Sequence, residues 1–459
     1  MEMRLSDVAK VLMGTLKGDC DFQRFVIDSR QVCAGDVFVC LKGARVDGHD
    51  FIRQAEENGA VGFLCERPLQ TSLPYVIVNS CLEGLQQFSA WYRDGLNVKL
   101  VAVTGSVGKT TTKECIASVL SQKYKTHKTD GNKNSETGLP LTLLGIQPDD
   151  EAAVVEMGMS ARGEIRVLSD IARPDIAVIT NIGMSHIENL GSQENILQAK
   201  LEILSGLKPD GLLIIYGDDE YFNRAYQEQL LGKIPQKIMR YGINSSDCDV
   251  TAQDIVMESD SLRFLIQTPQ GEATVIMPCE GVHNVYNALA AVCVGISMNV
   301  PLEDICQGLN LFKNVPLRQQ TYDKNGFHII EDCYNASPAS MQAAVDMLNR
   351  RPGRKIAILG DMLELGDFAR DLHVQVGRML KNVDLLIAFG EFGECYIEGA
   401  VSVGIKASNC YHCKDVDEVA QTLTQLANVD DHILIKASRG MQAENVMKKF
   451  FELKNGGAD

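Results

Sequence analysis

Thr104-Gly105-Ser106-Val107-Gly108-Lys109-Thr110-Thr111 follows the apolar run Leu100-Val101-Ala102-Val103 and precedes a stretch with helical spacing. A loop of glycines and one lysine between a buried strand and a helix is the setting of a phosphate loop. Glycines let backbone N–H groups approach phosphate oxygens, and the helix N-terminus adds a positive dipole end. Lys109 has the reach for the outer phosphates, and the Thr110 hydroxyl can ligate Mg²⁺. The spacing departs from the common one: the position five before Gly108 is Val103, leaving G-x-x-G-K-T-T.

Outward from this loop, apolar runs recur at Ala152–Met157, Ile176–Asn181 and Leu212–Tyr216, with helical patterns between most of them. Continuous apolar runs alternating with helices predict a mostly parallel sheet covered on both faces. Residues 248 to 278 alternate in polarity and predict an antiparallel extension. After Pro316 the rhythm restarts, with strands expected at Phe327–Glu331, Lys355–Leu359, Leu385–Phe389 and Ile433–Lys436. Before Ser80, short strands at Val37–Leu41, Val61–Leu64 and Tyr75–Val78 mark a small unit. The expected fold is α/β in three domains. Residues 1–82 form a small mixed α/β domain. Residues 83–314 form a central, mostly parallel P-loop NTPase-like sheet, and residues 315–459 a Rossmann-like doubly wound domain.

The composition suits this plan. The 459 residues are 45% apolar and 23% charged, and 44 basic against 60 acidic residues leave a net charge of −16. An acidic chain is a poor partner for nucleic acid or an anionic membrane. Any phosphate must be held by local donors. No apolar run reaches the ~18 residues of a membrane span. Met1 to Leu16 reads as an amphipathic helix rather than a secretory leader. The 14 cysteines are therefore expected as reduced thiols in the cytoplasm. Cys410-Tyr411-His412-Cys413 is a lone C-x-x-C with no second ligand pair, and is not read as a metal site.

Three further residues are candidates for chemistry. Glu156 ends a strand, where open α/β sheets bind ligands. Alone it is a solvated strand-end acid, but beside a phosphate loop it becomes a candidate Mg²⁺ ligand. His186 follows the strand ending at Asn181, and an isolated loop histidine is more often structural than catalytic. Lys200 lies in a helical pattern, and physics alone leaves it a solvated surface charge.

Four stretches together resemble the Mur ligases: Gly105–Thr111, Glu156-Met157-Gly158, Asn181–His186 and Gly281–Ala290. That family comprises ATP-dependent amide-forming enzymes of peptidoglycan precursor synthesis, and the shortened phosphate loop is its form. Asp332–Met341 and Leu359–Gly366 resemble the member that joins D-alanyl-D-alanine to UDP-MurNAc-tripeptide. The Asp-Asn-Pro-Arg motif of the sister ligase that adds a single amino acid is absent. Ser337 stands where the family usually has asparagine. The alternatives are that sister ligase and a nucleotide-binding homologue that no longer ligates.

The resemblance implies roles. Gly105, Ser106, Val107, Gly108, Lys109, Thr110 and Thr111 would hold ATP, with Asn287 on the adenine side. Arg318 and Asp332 would close on the nucleotide from the third domain. Thr110, Glu156, His186 and Lys200 would surround two Mg²⁺ ions, with Lys200 carbamylated. Lys109, His186 and Lys200 would serve the chemistry. Asn134, Thr137 and Asn335 would face the substrates. Ser29 and Arg30, with the turn from Gly43 to His49, would hold the UDP end. The partners would be the tripeptide nucleotide and D-alanyl-D-alanine, acted on by a monomer.

Overall fold

Alternate residues of the strand Lys99–Thr104 enter two different cores. Leu100 and Ala102 pack with Leu139, Leu143 and Ile165, while Val101 and Val103 pack with Ile116, Val119 and Leu289. A strand's side chains alternate between faces, so a strand apolar at every position needs a cover on each side. In the computed structural model, helices supply both covers: Gly138–Leu144 and Glu164–Ala172 on one face, Lys109–Leu120 and His283–Ser297 on the other. The structure describes residues 3–43, 45–228, 231, 234–258 and 261–456.

The central sheet has nine strands. From one edge they are Thr126–Lys128, Ala152–Glu156, Lys99–Thr104, Ile176–Ile179, Leu212–Tyr216, Lys237–Gly242, Val250–Met257, Leu262–Thr268 and Gly271–Met277. The antiparallel extension starts later than expected. Val250–Met257 still pairs parallel with Lys237–Gly242, and only the last two pairings of the sheet are antiparallel.

The third region is a six-stranded sheet, ordered Gln320–Lys324, Phe327–Asp332, His432–Lys436, Lys355–Gly360, Leu385–Phe389 and Cys410–Cys413. All neighbours are parallel except the first pair. The last strand was not expected, and it explains the C-x-x-C. Residues three apart on a strand point to opposite faces. Cys413 enters one core, and Cys410 packs at the margin of another. Among the described residues no group of histidine, cysteine or acid side chains is arranged to hold a metal by itself. All 14 cysteines are free thiols.

The first region is a five-stranded sheet, ordered Thr15–Lys17, Tyr75–Ile77, Gly62–Cys65, Asp36–Val39 and Arg24–Val26. The expected helix over Met1 to Leu16 is shorter, spanning Leu5–Leu12. Met3–Arg4 pairs instead with Asp21–Phe22, and Thr15–Lys17 joins the sheet. The helix stops at Met13, which has a left-handed φ of 50°. Gly14 then passes so close to the sheet that a Cβ would lie 2.7 Å from Val76 Cγ1.

The helix Cys81–Asp94 splices the first two regions. Cys81, Leu85, Phe88 and Tyr92 complete the first core, while Tyr92 donates to Ile146 O (2.7 Å) and Arg93 to Ala172 O (3.1 Å). Among the described residues no helix is long and apolar enough to cross a membrane.

Candidate active site

The phosphate loop is held from behind by the strand end Thr180-Asn181. Ser106 N donates to Asn181 O (3.1 Å), Val107 N to Asn181 Oδ1 (3.0 Å), and Thr180 Oγ1 to Val107 O (2.6 Å). Two glycines are dictated by this packing. At Gly105 (φ 147°) a Cβ would stand 1.8 Å from Thr180 Oγ1, and at Gly108 (φ 83°) 2.7 Å from Asn287 Oδ1. Lys109 folds back over its own loop, donating to Gly105 O (2.8 Å) and Ser106 O (3.4 Å). Burial pushes its pKa down, and Glu156 opposes the shift.

Glu156 ends its strand 2% exposed. Asn134 Nδ2 donates to its Oε1 (2.8 Å), while Oε2 is buried with no partner among the described residues. A buried carboxylate oxygen without a donor is costly, so the arrangement fits a cation there. Lys200 is the larger surprise. It is not a solvated helix lysine: it is 1% exposed, and its Nζ makes no hydrogen bond or ion pair with any described residue. Its apolar helix face, with Ile196, Leu197 and Ala199 in the core, carries it inward. Burial, reinforced by the charge of Lys109, pushes its pKa well down.

The third region supplies the facing wall. Arg318 Nη2 donates to Thr110 Oγ1 (3.0 Å) and its guanidinium lies over the Tyr334 ring at 4.2 Å. Asp332 Oδ2 accepts from buried Lys436 (2.6 Å), which also donates to Asn335 O (3.0 Å). His186 Nδ1 meets the Glu364 carboxylate in a close contact that lacks the geometry of a hydrogen bond. Between the walls is a cleft of about 850 Å³ lined by Lys109, Asn134, Thr137, Glu156, His186, Asn287, Arg318, Asp332 and Asn335, among others.

The expected residues therefore divide. Those of the second and third regions line this cleft except Gly105, Thr110 and Lys200; Gly105 is within the phosphate loop, Thr110 is bonded to the lining residue Arg318, and Lys200 feels the charge of the lining residue Lys109. Asn287 is committed to bracing: its Oδ1 accepts from Thr112 (3.0 Å) and its Nδ2 donates to Asn284 (2.9 Å). Ser337 starts the helix Pro338–Asn349, its N–H donating to Ser340 Oγ (2.9 Å). Ser29 and Arg30 are not part of the cleft. Ser29 donates to Gln54 (2.7 Å), and Arg30 grips Asp28, holding that carboxyl down at about 2. In the nearby turn, Asp47 pairs with His49 (2.6 Å), and Ala44 lies outside the described residues. Among the residues not singled out from sequence are Lys436, in the cleft lining, and Glu364, which meets the lining residue His186. Each sat in plain view, one ending a strand and one inside a motif already noted.

Comparison with known proteins places this geometry. Three family models match in series: "Mur ligase family, catalytic domain" over 22–103, "Mur ligase middle domain" over 103–295, and "Mur ligase, glutamate ligase domain" over 317–439. The UDP-N-acetylmuramoyl-tripeptide--D-alanyl-D-alanine ligase of Bacillus subtilis is 38% identical, covering 98% of each chain. This chain belongs to the Mur ligase family. The crystal structure of MurF from Acinetobacter baumannii superposes with a TM-score of 0.89 at 32% identity, covering 97% of this chain and 98% of that one. The MurF ligase from Thermotoga maritima, solved in complex with ADP, gives 0.80 at 32% identity, covering 95% and 99%. The matches to this family run through all three sheets, so the cleft lies between the middle and third Mur ligase domains.

Proposed function

We propose that the chain is an ATP-dependent ligase that joins D-alanyl-D-alanine to UDP-N-acetylmuramoyl-tripeptide. One observation carries this: a phosphate loop, an unsatisfied carboxylate oxygen and a facing third-domain wall share one cleft, in a chain aligned end to end with ligases of that name.

A carboxylate does not form an amide unaided, because its oxygen is a poor leaving group. The tripeptide carboxylate attacks the γ-phosphorus of ATP, giving an acyl phosphate and ADP. The amine of D-alanyl-D-alanine then attacks the acyl carbon. The C–O bond to phosphate breaks, and the amine loses a proton. Two anions must meet in the first step, and Lys109 is placed to screen them while the glycine loop positions the phosphates. Thr110, Glu156, His186 and Lys200 would hold Mg²⁺, which when bound neutralises charge on the phosphoryl oxygens. His186, at the seam between the domains, offers one nitrogen to the cleft, so it serves as base for the amine only when that nitrogen is not a metal ligand.

The buried Lys200 supports a carbamate. An uncharged amine adds CO₂ at nitrogen, loses a proton and becomes an anion, which turns a repelled side chain into a cation ligand. The depressed pKa of Lys200 favours that uncharged amine. The third domain closing over the middle one would keep water from the acyl phosphate.

The test is a coupled assay with tripeptide nucleotides bearing either lysine or diaminopimelate. ADP and phosphate are expected only when both the nucleotide and D-alanyl-D-alanine are present. Equal turnover without the dipeptide would count decisively against the proposal.

A further inference from the structure

The loop Asp361–Gly366 of the third domain rests on the turn His186–Leu190 of the middle domain. Glu188 N donates to Glu364 O (3.3 Å), and a Cβ at Gly366 would stand 3.1 Å from Glu188 Cγ. At the centre of this contact the Glu364 carboxylate faces His186 Nδ1. Both residues have left-handed backbone, φ 63° for His186 and 65° for Glu364. Side chains other than glycine rarely adopt it, and such strain persists where the surroundings over-determine it, often at functional sites.

The loop is indeed over-determined. Met362 N donates to His373 Nε2 (3.0 Å), Leu363 N to Ser438 Oγ (2.9 Å), and Asp361 accepts from Glu391 N (2.8 Å) and Phe392 N (3.1 Å). The scaffold thus aims one strained glutamate across the domain seam at one strained histidine. With Nδ1 enclosed against Glu364, Nε2 is the ring nitrogen left for the cleft. A carboxylate packed against one ring nitrogen limits how the ring can turn, and so which nitrogen it offers to the cleft.

We propose that Glu364 is a positioning residue: it arrives with the third domain and sets the His186 ring, so that this histidine is competent only when the domains have closed. The proposal rests on the ligase reading above. It gives the third domain a second task, completing the middle domain's chemistry as well as holding the acceptor.

The test compares Glu364→Asn and Glu364→Gln in the full chain. Asparagine tolerates the left-handed backbone but loses the reach to His186. Its kcat is expected to fall about 10- to 100-fold, with KM for ATP within about twofold of wild type. Its thermal midpoint should be unchanged or higher. Gln keeps the reach and an acceptor oxygen, and should recover part of kcat. In ¹⁵N spectra, the histidine resonance that vanishes in His186→Asn should shift in Glu364→Asn. Unchanged kcat overturns the proposal. So does a parallel fall of kcat and thermal midpoint with Gln no better than Asn and no histidine resonance moved. Wild-type protein that fails to ligate would instead defeat the ligase reading, while the histidine shift would still report on the contact.

Discussion

Two lysines are buried to the same degree on opposite faces of the central sheet, and they have opposite surroundings. Lys113, on the helix after the phosphate loop, is 1% exposed, donates to Thr129 O (2.7 Å) and pairs with Glu114 (2.9 Å). Lys200 is equally buried, and its Nζ has no partner among the described residues. The acid near it in sequence, Glu202, is committed elsewhere, accepting from Gly163 N (2.9 Å) at the start of the helix Glu164–Ala172. A buried charge is tolerated when it is paired and hydrogen-bonded. Lys113 meets that condition and reads as structure. Lys200 does not, and its environment favours a form other than the ammonium. Burial alone therefore does not mark a functional lysine; burial without a partner, beside a phosphate loop, does.

The largest expected effect lies on the Lys200 side. Lys200→Ala should lower ligation by about 10³-fold, and added acetate should restore part of it by occupying the place of a carbamate. Full activity of this variant would erase the distinction between the two lysines. Lys113→Met should do the reverse. Losing the bonds to Thr129 and Glu114 should cost about 1–3 kcal/mol in urea unfolding, with kcat of the folded protein little changed. A large loss of kcat at unchanged stability would show that Lys113 also serves the site.

The first domain offers a milder contrast, because its candidate residues stand apart from the cleft. Arg30→Ala removes an exposed guanidinium whose one ion-pair partner among the described residues is Asp28. A higher KM for the UDP substrate at unchanged KM for ATP and unchanged stability is expected. No change in either KM would remove Arg30 from the substrate site.

The smallest effect concerns His373, which is buried and neutral behind the Glu364 loop. Burial depresses its pKa below the usual 6.5. The unfolded chain therefore binds the proton more readily than the folded one. Its contribution to stability is present above pH 6.5 and is lost as pH falls through the folded pKa. Thermal unfolding between pH 7 and 5 should show this loss in wild type and a flatter profile in His373→Gln. Equal slopes would show that the Met362–His373 bond does not carry it.

Much of this was legible along the chain. The strands buried on both faces announced themselves as unbroken apolar runs, and the phosphate loop as glycines and a lysine between strand and helix. Elements that depend on their neighbours were harder. The Cys410–Cys413 strand is four residues with no periodic signal of its own. The first helix was read too long because Met1 to Leu16 is amphipathic throughout, while strand pairing at both ends claims its flanks. The cleft's facing wall was least legible of all. Arg318 meets Thr110 across 208 residues of sequence, and Lys436 meets Asp332 across 104.

The sequence by itself determined the layers, the phosphate loop and the family of chemistry, because these follow from local periodicity and from motifs confined to a few adjacent residues. Only the tertiary structure decided the surroundings of the polar groups: Glu156 Oε2 and Lys200 without partners among the described residues, and His186 turned to Glu364. The physical reason is that a side chain's charge state and reach are set by everything packed around it, and those neighbours come from distant parts of the chain.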